Sequence, residues 1–112
     1  MSTVEEIDPG TANALVEGGA LLLDVRNDDE WEAGHAPAAL HLPLGELSAR
    51  HTELPTDRRI VVICRSGGRS AKATEALVGA GYGAVNLAGG MQAWAALGLP
   101  CVTDGGDPGT VA

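Results

Sequence analysis

Residues 60–70 read Ile-Val-Val-Ile-Cys-Arg-Ser-Gly-Gly-Arg-Ser, a strand pattern that runs without a break into a glycine-rich loop. Four consecutive β-branched residues are typical of a strand buried on both faces of a parallel sheet. A helix is expected next, with one apolar face formed by Ala73, Ala76, Leu77 and Ala80 and an end at Gly81. The pattern therefore places Cys64 between the carboxyl end of a buried strand and the start of a helix.

Further strand and helix patterns alternate on both sides of this segment. Strands are expected at residues 21–25, 39–42 and 84–87. Helices are expected from Asp8-Pro9 to Gly18-Gly19, from Asn27 to Gly34, along the spacing Leu44, Leu47, His51 and Leu54, and from Gly89-Gly90 with Met91, Trp94 and Ala95 facing inward. Because strands that alternate with helices pair in parallel, we predict an α/β fold, an open parallel sheet of four to five strands with helices on both faces.

The composition is that of one globular domain. The chain has 112 residues, 45% of them hydrophobic, and a net charge of −8 at pH 7. This charge argues against binding to phosphate backbones and anionic lipids, so we expect binding to neither nucleic acid nor membrane.

Two cysteines are too few for a disulfide scaffold, and the first residues show no signal-peptide pattern, which favours a cytoplasmic protein. We expect one domain over residues 1–102 and a flexible, turn-rich tail over 103–112.

The few cations are concentrated around the glycine-rich loop. Five of the seven lysines and arginines lie between Arg58 and Lys72, with no acidic residue among them. Because ionic screening at physiological salt acts over about 8 Å, a bound ion responds to this segment more than to the distant net charge. We interpret Arg58 and its neighbour Arg59 as part of a solvated face. Arg65 and Arg69 flank the loop and predict a small-anion site.

Cys64 is the candidate nucleophile. A cysteine reacts as its thiolate, and an ordinary thiol with a pKa of about 8.5 is only a few per cent ionised at pH 7. Loop amides and the start of the following helix would lower that pKa, and Gly67 and Gly68 let backbone N–H groups converge on one point. The alternatives are a small buried hydrophobic residue and a plain turn. The conjunction with Arg65 and Arg69 favours a functional anion or thiolate loop.

The other cysteine and the three histidines lack such a setting. Cys101 lies beside a proline near the end of the fold and is interpreted as a packing residue, with a resolving thiol as the alternative. His35, His41 and His51 form no metal-ligand spacing with the cysteines, so we expect no metal site. A Cys–His pair stays open, with His35 as the candidate partner of Cys64.

These motifs together resemble a single-domain rhodanese, of the sulfurtransferase family, over residues 3–102. The first signature comprises Asp24-Val25-Arg26, Glu30-Trp31, Gly34-His35 and Leu42-Pro43. Residues 64–70 match the active-site loop, and the closing motifs are Gly81-Tyr82, Val85, Leu87, Gly89-Gly90, Trp94 and Gly98-Leu99-Pro100. Ala36, Ala38 and His41 stand where the family usually has isoleucine, glycine and asparagine. These departures affect packing around the first signature and leave the loop intact.

The resemblance implies a sulfurtransferase that needs no cofactor. The Cys64 thiolate would take the outer sulfur of a small anionic donor such as thiosulfate and hold it as a persulfide. Cyanide or a thiol, free or on an acceptor protein, would then remove it. The sulfur would be surrounded by backbone N–H groups of residues 65–69, that is Arg65, Ser66, Gly67, Gly68 and Arg69.

The resemblance also implies supporting roles around the loop. Arg65 would steer the donor, while Arg69 would pair with Asp24 and hold the loop, either as a purely structural ion pair or with a direct contact to the donor. Ser66 and Ser70 would satisfy hydrogen-bond donors of the loop and of the helix start. Glu30 would cap the second helix, and Arg26 would pack or form a salt bridge.

Three functions compete: a sulfurtransferase, a phosphatase or arsenate reductase with a related loop, and a catalytically silent rhodanese-like module that only binds a partner. The presence of Cys64 counts against the silent module. Cys64 to Arg69 is a six-residue CX4R loop, whereas phosphatase-like relatives of this fold use a loop one residue longer. A phosphoryl centre carries several oxygens that each need a donor, so its cradle is wider. We therefore predict sulfur chemistry, in a protein for which a monomer is favoured.

Overall fold

A computed structural model describes residues 4–112, which form a five-stranded, entirely parallel sheet with helices around it. The strands are β1 (Glu6–Ile7), β2 (Leu21–Asp24), β3 (Ala39–His41), β4 (Ile60–Ile63) and β5 (Ala84–Leu87). Their order across the sheet is β1-β5-β4-β2-β3, and each neighbouring pair is parallel. The predicted α/β class is therefore confirmed. Residues 1–3 of the expected domain lie outside the described part of the chain.

Four helices connect the strands and a fifth follows β5, and they begin close to the predicted capping residues. They are α1 (Pro9–Glu17), α2 (Asp28–Ala33), α3 (Leu44–Arg50), α4 (Gly68–Gly79) and α5 (Gly90–Ala96). Asp8 caps α1 through its side chain, and Asn27 and Glu30 form a capping box at α2. The third helix is shorter than its apolar spacing suggested, because a 3-10 turn (His51–Glu53) replaces its last turn while Leu54 still reaches the core.

The two faces of the sheet bury separate sets of side chains. Side chains alternate across a strand, so successive residues of β2 and β4 point to opposite faces. One face packs Leu47 of α3 and Leu77 of α4 against the strands, and the other packs Ala12 of α1 with Met91 and Trp94 of α5. The helices therefore cover both faces, as predicted.

Some details differ from the sequence-based expectation. The sequence does not predict β1, because a strand of two residues is too short to show an alternating pattern. The strand forms because the carbonyls of Glu5 and Ile7 accept hydrogen bonds from the amides of Asn86 in β5 and of Ala88, the residue after β5. Ala95 is exposed because Met91 and Trp94 already fill the inward face of the short helix α5. Ala76 and Ala80 are likewise exposed on α4.

The segment expected to be a loose tail makes several backbone hydrogen bonds. The Gly109 amide donates to the Cys101 carbonyl and the Thr110 amide to the Ala33 carbonyl, both at 2.9 Å, and Val102, just before this segment, pairs with His35 in both directions at 2.8 Å. The segment thereby lies along the end of α2, while the flexibility of residues 103–112 stays a prediction. Within residues 4–112, no helix combines the length and hydropathy needed to cross a membrane.

The strand order determines where a site can form. The chain runs from β2 to its neighbour β3 and then crosses back over β2 to enter β4. β2 and β4 are neighbours, but the segment after β2 leads to β3 on one side and the segment after β4 leads to β5 on the other. The two segments therefore diverge at the carboxyl edge of the sheet, and a crevice opens between them. Residues 25–30 and residues 64–70 line this edge, and both belong to the motifs singled out in the sequence.

Candidate active site

Cys64 lies at the bottom of the loop between β4 and α4. Its side chain is only 1% exposed, and its Sγ accepts hydrogen bonds from the Gly67 amide at 3.1 Å and from the Ser70 hydroxyl at 3.3 Å. Gly67 adopts a left-handed conformation with φ of +110°, which brings its N–H back toward the cysteine. The six-residue loop therefore curls around one sulfur atom.

The hydrogen bonds outweigh the burial of the thiol. Burial raises the pKa of Cys64, but the Ser70 hydroxyl and the backbone amides of Ser70, Gly67 and Ser66 act in the opposite direction, and the pKa lies below its ordinary value. These hydrogen bonds all come from uncharged groups, a hydroxyl and backbone amides. A thiolate at this position is the form that reacts with electrophilic sulfur.

The start of α5 orients the loop peptides. The Met91 amide donates to the Cys64 carbonyl at 2.7 Å, and the Gln92 amide donates to the Arg65 carbonyl at 3.0 Å. In a trans peptide the N–H points opposite to the C=O, and the described residues contain no cis peptide. The amides of Arg65 and Ser66 therefore point away from α5, on the side where an anion can be bound.

Gly90 permits this close approach. It has φ of +57°, and a Cβ at this position would lie 2.7 Å from the carbonyl carbon of Arg65 and closer still to the carbonyl oxygen of Cys64. No side chain fits between the loop and the start of α5. The second glycine of the closing motif is thus part of the loop's support.

Arg69 pairs with Glu30, so the predicted pair between Arg69 and Asp24 is wrong. The guanidinium binds the carboxylate through two bonds, of 2.6 and 2.8 Å. Asp24 is unavailable because Arg26, two residues further on, donates to both of its oxygens in a fully buried pair. Glu30 lies across the crevice on α2, where the first turn of α4 can reach it. The ion pair joins the two segments that line the site.

Glu30 has two functions at once. Its pKa falls from 4.5 to about 2, mainly because of the hydrogen bond from Arg69, against a smaller opposing effect of burial. It also accepts from the Asn27 amide at 3.1 Å, which is the predicted helix cap. Arg26 forms the predicted salt bridge, and its Nη2 additionally donates to the Gly34 carbonyl at 2.8 Å.

Arg65 is exposed and lies at the outer rim of the loop. Its Nε donates to a main-chain oxygen of Ala112 at 2.8 Å, and no Asp or Glu side chain of residues 4–112 forms a salt bridge with it. In contrast to Arg69, it therefore has no acidic side chain as a partner among the described residues.

The histidines and the second cysteine are engaged elsewhere. His35 stacks on Trp31 with ring centroids 3.5 Å apart and contacts the Trp31 carbonyl through Nδ1 at 2.8 Å, so it does not pair with Cys64. Burial raises the pKa of Cys101, which suits a packing residue. Over residues 4–112 no cluster of three or more histidine, cysteine or acidic side chains is arranged to hold a metal ion.

Asn86 is the residue at the site that the sequence reasoning missed. This β5 side chain is fully buried, and its Nδ2 donates to the Gly67 carbonyl at 3.2 Å and to the Glu6 carboxylate at 2.9 Å. Asparagine is unfavourable in the middle of a strand. A lone amide in the otherwise apolar segment 84–87 was the signal that could have identified it.

Comparison with known proteins agrees with this geometry. Residues 8–97 match the family described as the rhodanese-like domain. A protein of Allochromatium vinosum named sulfurtransferase is 47% identical over 77% of this chain and 81% of its own length. Thiosulfate sulfurtransferase GlpE of Pseudomonas syringae pv. syringae is 36% identical over 84% and 90%. The crystal structure of a rhodanese-related protein from Thermoplasma volcanium superposes with a TM-score of 0.83 at 32% identity, covering 88% of this chain and 97% of that one.

The role of Gly90 can be tested with a matched glycine. Gly90→Ala is expected to lower the free energy of unfolding by at least about 2 kcal/mol, because the new Cβ meets the loop backbone in a left-handed conformation. Gly79→Ala, at the end of α4 where a Cβ has open space, should be neutral or stabilising by up to about 1 kcal/mol. Urea denaturation measures both changes. Equal stability of the two variants would contradict the close approach.

The Glu30–Arg69 pair predicts a pH-dependent stability. Because the folded-state pKa of Glu30 is depressed, its contribution is complete above pH 4.5 and is lost as the pH falls toward 2. Glu30→Gln should therefore cost about 1–2 kcal/mol at pH 7, allowing for the partial exposure of Arg69, and nothing near pH 2. The control is Glu32→Gln, exposed on the same helix. A Glu30→Gln difference independent of pH between 2 and 7 would contradict the pair.

Proposed function

The chain belongs to the rhodanese-like domain family, and on that premise we propose that it is a sulfurtransferase that carries a sulfane sulfur as a persulfide on Cys64. The observation that carries the proposal is the buried Cys64 thiol, whose pKa is lowered by the Ser70 hydroxyl and by loop amides at the carboxyl end of β4. Relatives named sulfurtransferases, which match over most of their length, support the same activity.

The reaction needs no oxidant or cofactor. The Cys64 thiolate attacks the outer sulfur of thiosulfate; the new S–S bond forms on Cys64, the old one breaks, and its electron pair leaves with sulfite. The terminal sulfur of the persulfide keeps one negative charge. In the second step cyanide or a thiolate attacks that sulfur and Cys64 leaves as a thiolate, ready for the next cycle. The acceptor thiol can be a small molecule or belong to a protein.

The loop amides stabilise charge in both steps. The amides of Arg65 and Ser66 point away from α5, and that of Gly67 contacts Sγ. A persulfide extends the charge by one atom beyond Sγ, into the space in front of these donors. Fixed dipoles aimed at such a charge need no rearrangement during the reaction, which is the general advantage of a preorganised anion site.

Phosphoryl transfer is the weaker alternative. The loop closes around Cys64 with one residue fewer than the phosphatase-like loop described above, and Arg69, which would contact phosphate oxygens, is held by Glu30 in a bidentate pair. Few hydrogen-bond donors of the loop are then left for the several oxygens of a phosphoryl group. A silent binding module is disfavoured because the nucleophile is present and its pKa is lowered.

The role of Cys64 predicts a mass change. After incubation with thiosulfate and removal of the donor, the intact protein should gain the mass of one sulfur atom. Cys64→Ser should abolish this gain, and Cys101→Ser should retain it, because burial raises the pKa of Cys101 whereas the pKa of Cys64 is lowered. Aryl phosphate hydrolysis should be absent in all three proteins. Phosphate release that depends on Cys64, without a persulfide, would overturn the proposal, as would equal loss in both cysteine variants.

Arg65 is proposed to attract the anionic donor. Its charge is exposed at the rim, so Arg65→Ala should raise the KM for thiosulfate about three- to tenfold while kcat changes less than twofold. The effect should shrink at high ionic strength. Arg58→Ala is the matched control, because Arg58 precedes β4 while the site follows it. An unchanged KM in Arg65→Ala would rule out steering by this residue.

A further inference from the structure

A chain of polar contacts leads from the edge of the sheet to the sulfur of Cys64. It begins at the Glu6 carboxylate on β1, passes through the Asn86 amide on β5 to the Gly67 carbonyl, and continues through the Ser70 hydroxyl to Sγ of Cys64. Each distance lies between 2.9 and 3.3 Å. The proposed function uses only the last of these contacts.

The Ser70 hydroxyl has two acceptors in reach and one proton. Its Oγ lies 3.3 Å from Sγ of Cys64 and 3.2 Å from the Gly67 carbonyl oxygen. That oxygen already accepts from the Ala71 amide at 3.0 Å and from Nδ2 of Asn86 at 3.2 Å. A carbonyl oxygen has two lone pairs, and these two donors occupy both. The hydroxyl proton is therefore left for the sulfur.

Glu6 determines which way the Asn86 amide faces. Both partners of Nδ2, the Glu6 carboxylate and the Gly67 carbonyl, are acceptors, so a flipped amide would place its oxygen against two other oxygens. The Oδ1 atom of Asn86 is buried and has no hydrogen-bond partner within residues 4–112. A buried unpartnered carbonyl costs stability, so this side chain is a poor choice for the core on structural grounds alone.

We infer that Asn86 is a positioning residue of the active site: it saturates the Gly67 carbonyl and thereby commits the Ser70 proton to the Cys64 sulfur. The inference rests on the proposed role of Cys64 as the sulfur carrier. Without Asn86, the Gly67 carbonyl has a free lone pair, and the Ser70 hydroxyl divides its proton between two acceptors. The thiolate then loses part of a hydrogen bond although both Ser70 and Cys64 are intact.

The test measures the ionisation of Cys64 without any sulfur donor. In a Cys101→Ser background, the alkylation rate with iodoacetamide is followed against pH for the parent, Asn86→Ala, Ser70→Ala and the double variant. Each single change is expected to raise the thiol pKa by about half to one unit, Ser70→Ala more than Asn86→Ala, and to slow alkylation about three- to tenfold at pH values below that pKa. The double variant should react within twofold of Ser70→Ala, because Asn86 has no effect once the hydroxyl is absent.

Control variants separate the positioning role of Asn86 from a general loss of stability. Asn13→Ala, on α1 where the side-chain amide donates to the exposed Glu17, should leave the alkylation rate unchanged. Glu6→Ala should slow alkylation about two- to threefold while Glu5→Ala, on the same edge of the sheet, should not. Removing a negative charge would by itself speed alkylation, so a slower reaction of Glu6→Ala reports the lost orientation of Asn86 and not the charge.

The outcomes decide the inference independently of the proposed function. Effects of Asn86→Ala and Ser70→Ala that multiply in the double variant, or an unchanged rate in Asn86→Ala, would overturn it. If Asn86→Ala does not fold in urea titrations, the Glu6→Ala rate decides: slower alkylation supports the inference, and an unchanged or faster rate overturns it. Failure to form a persulfide from thiosulfate would instead remove the proposed function, while the alkylation rates would still report how Ser70 and Asn86 act on the thiol.

Discussion

The loop around Cys64 depends on two backbone hydrogen bonds, in which amides at the start of α5 donate to the carbonyls of Cys64 and Arg65. Once these carbonyls are turned toward α5, planar trans peptides leave the following amides on the other side, where they form an anion site. The approach is so close that only glycine fits at position 90. Two amides, each 27 residues further along the chain than the carbonyl it binds, thus orient the peptides next to Cys64.

The site stabilises an anion mainly with dipoles. In this acidic protein, two of the arginines near the crevice are neutralised by their own partners: Arg26 by Asp24 in the interior and Arg69 by Glu30 at the crevice. Hydrogen bonds from amides and a hydroxyl lower the pKa of the Cys64 thiol instead. Short-range dipoles favour a small anion that enters the loop and are little affected by the overall charge of −8.

The ion pairs in the crevice show what the sequence motifs predict correctly and what they do not. The acidic and basic residues that meet in the crevice all lie in motifs that were recognised, yet Arg69 was assigned to Asp24 and pairs with Glu30. The motifs indicate which residues lie near the site. Which acidic and basic side chains form an ion pair depends on how far each side chain reaches across the crevice and on whether another residue already binds the same partner. Arg26 follows Asp24 by two residues and saturates it first.

The sequence by itself determined the order of the elements after β1, the parallel sheet, the capped helix starts and the position of Cys64 at a strand end. These follow from local spacing and from the glycines, because periodicity and turn chemistry are properties of neighbouring residues. Only the tertiary structure decided the two-residue strand β1, the partner of Arg69 and the place of Asn86 beneath Gly67. Each of these depends on contacts between residues at least 19 positions apart. A local sequence pattern does not indicate which distant backbone group or carboxylate the packed structure brings close.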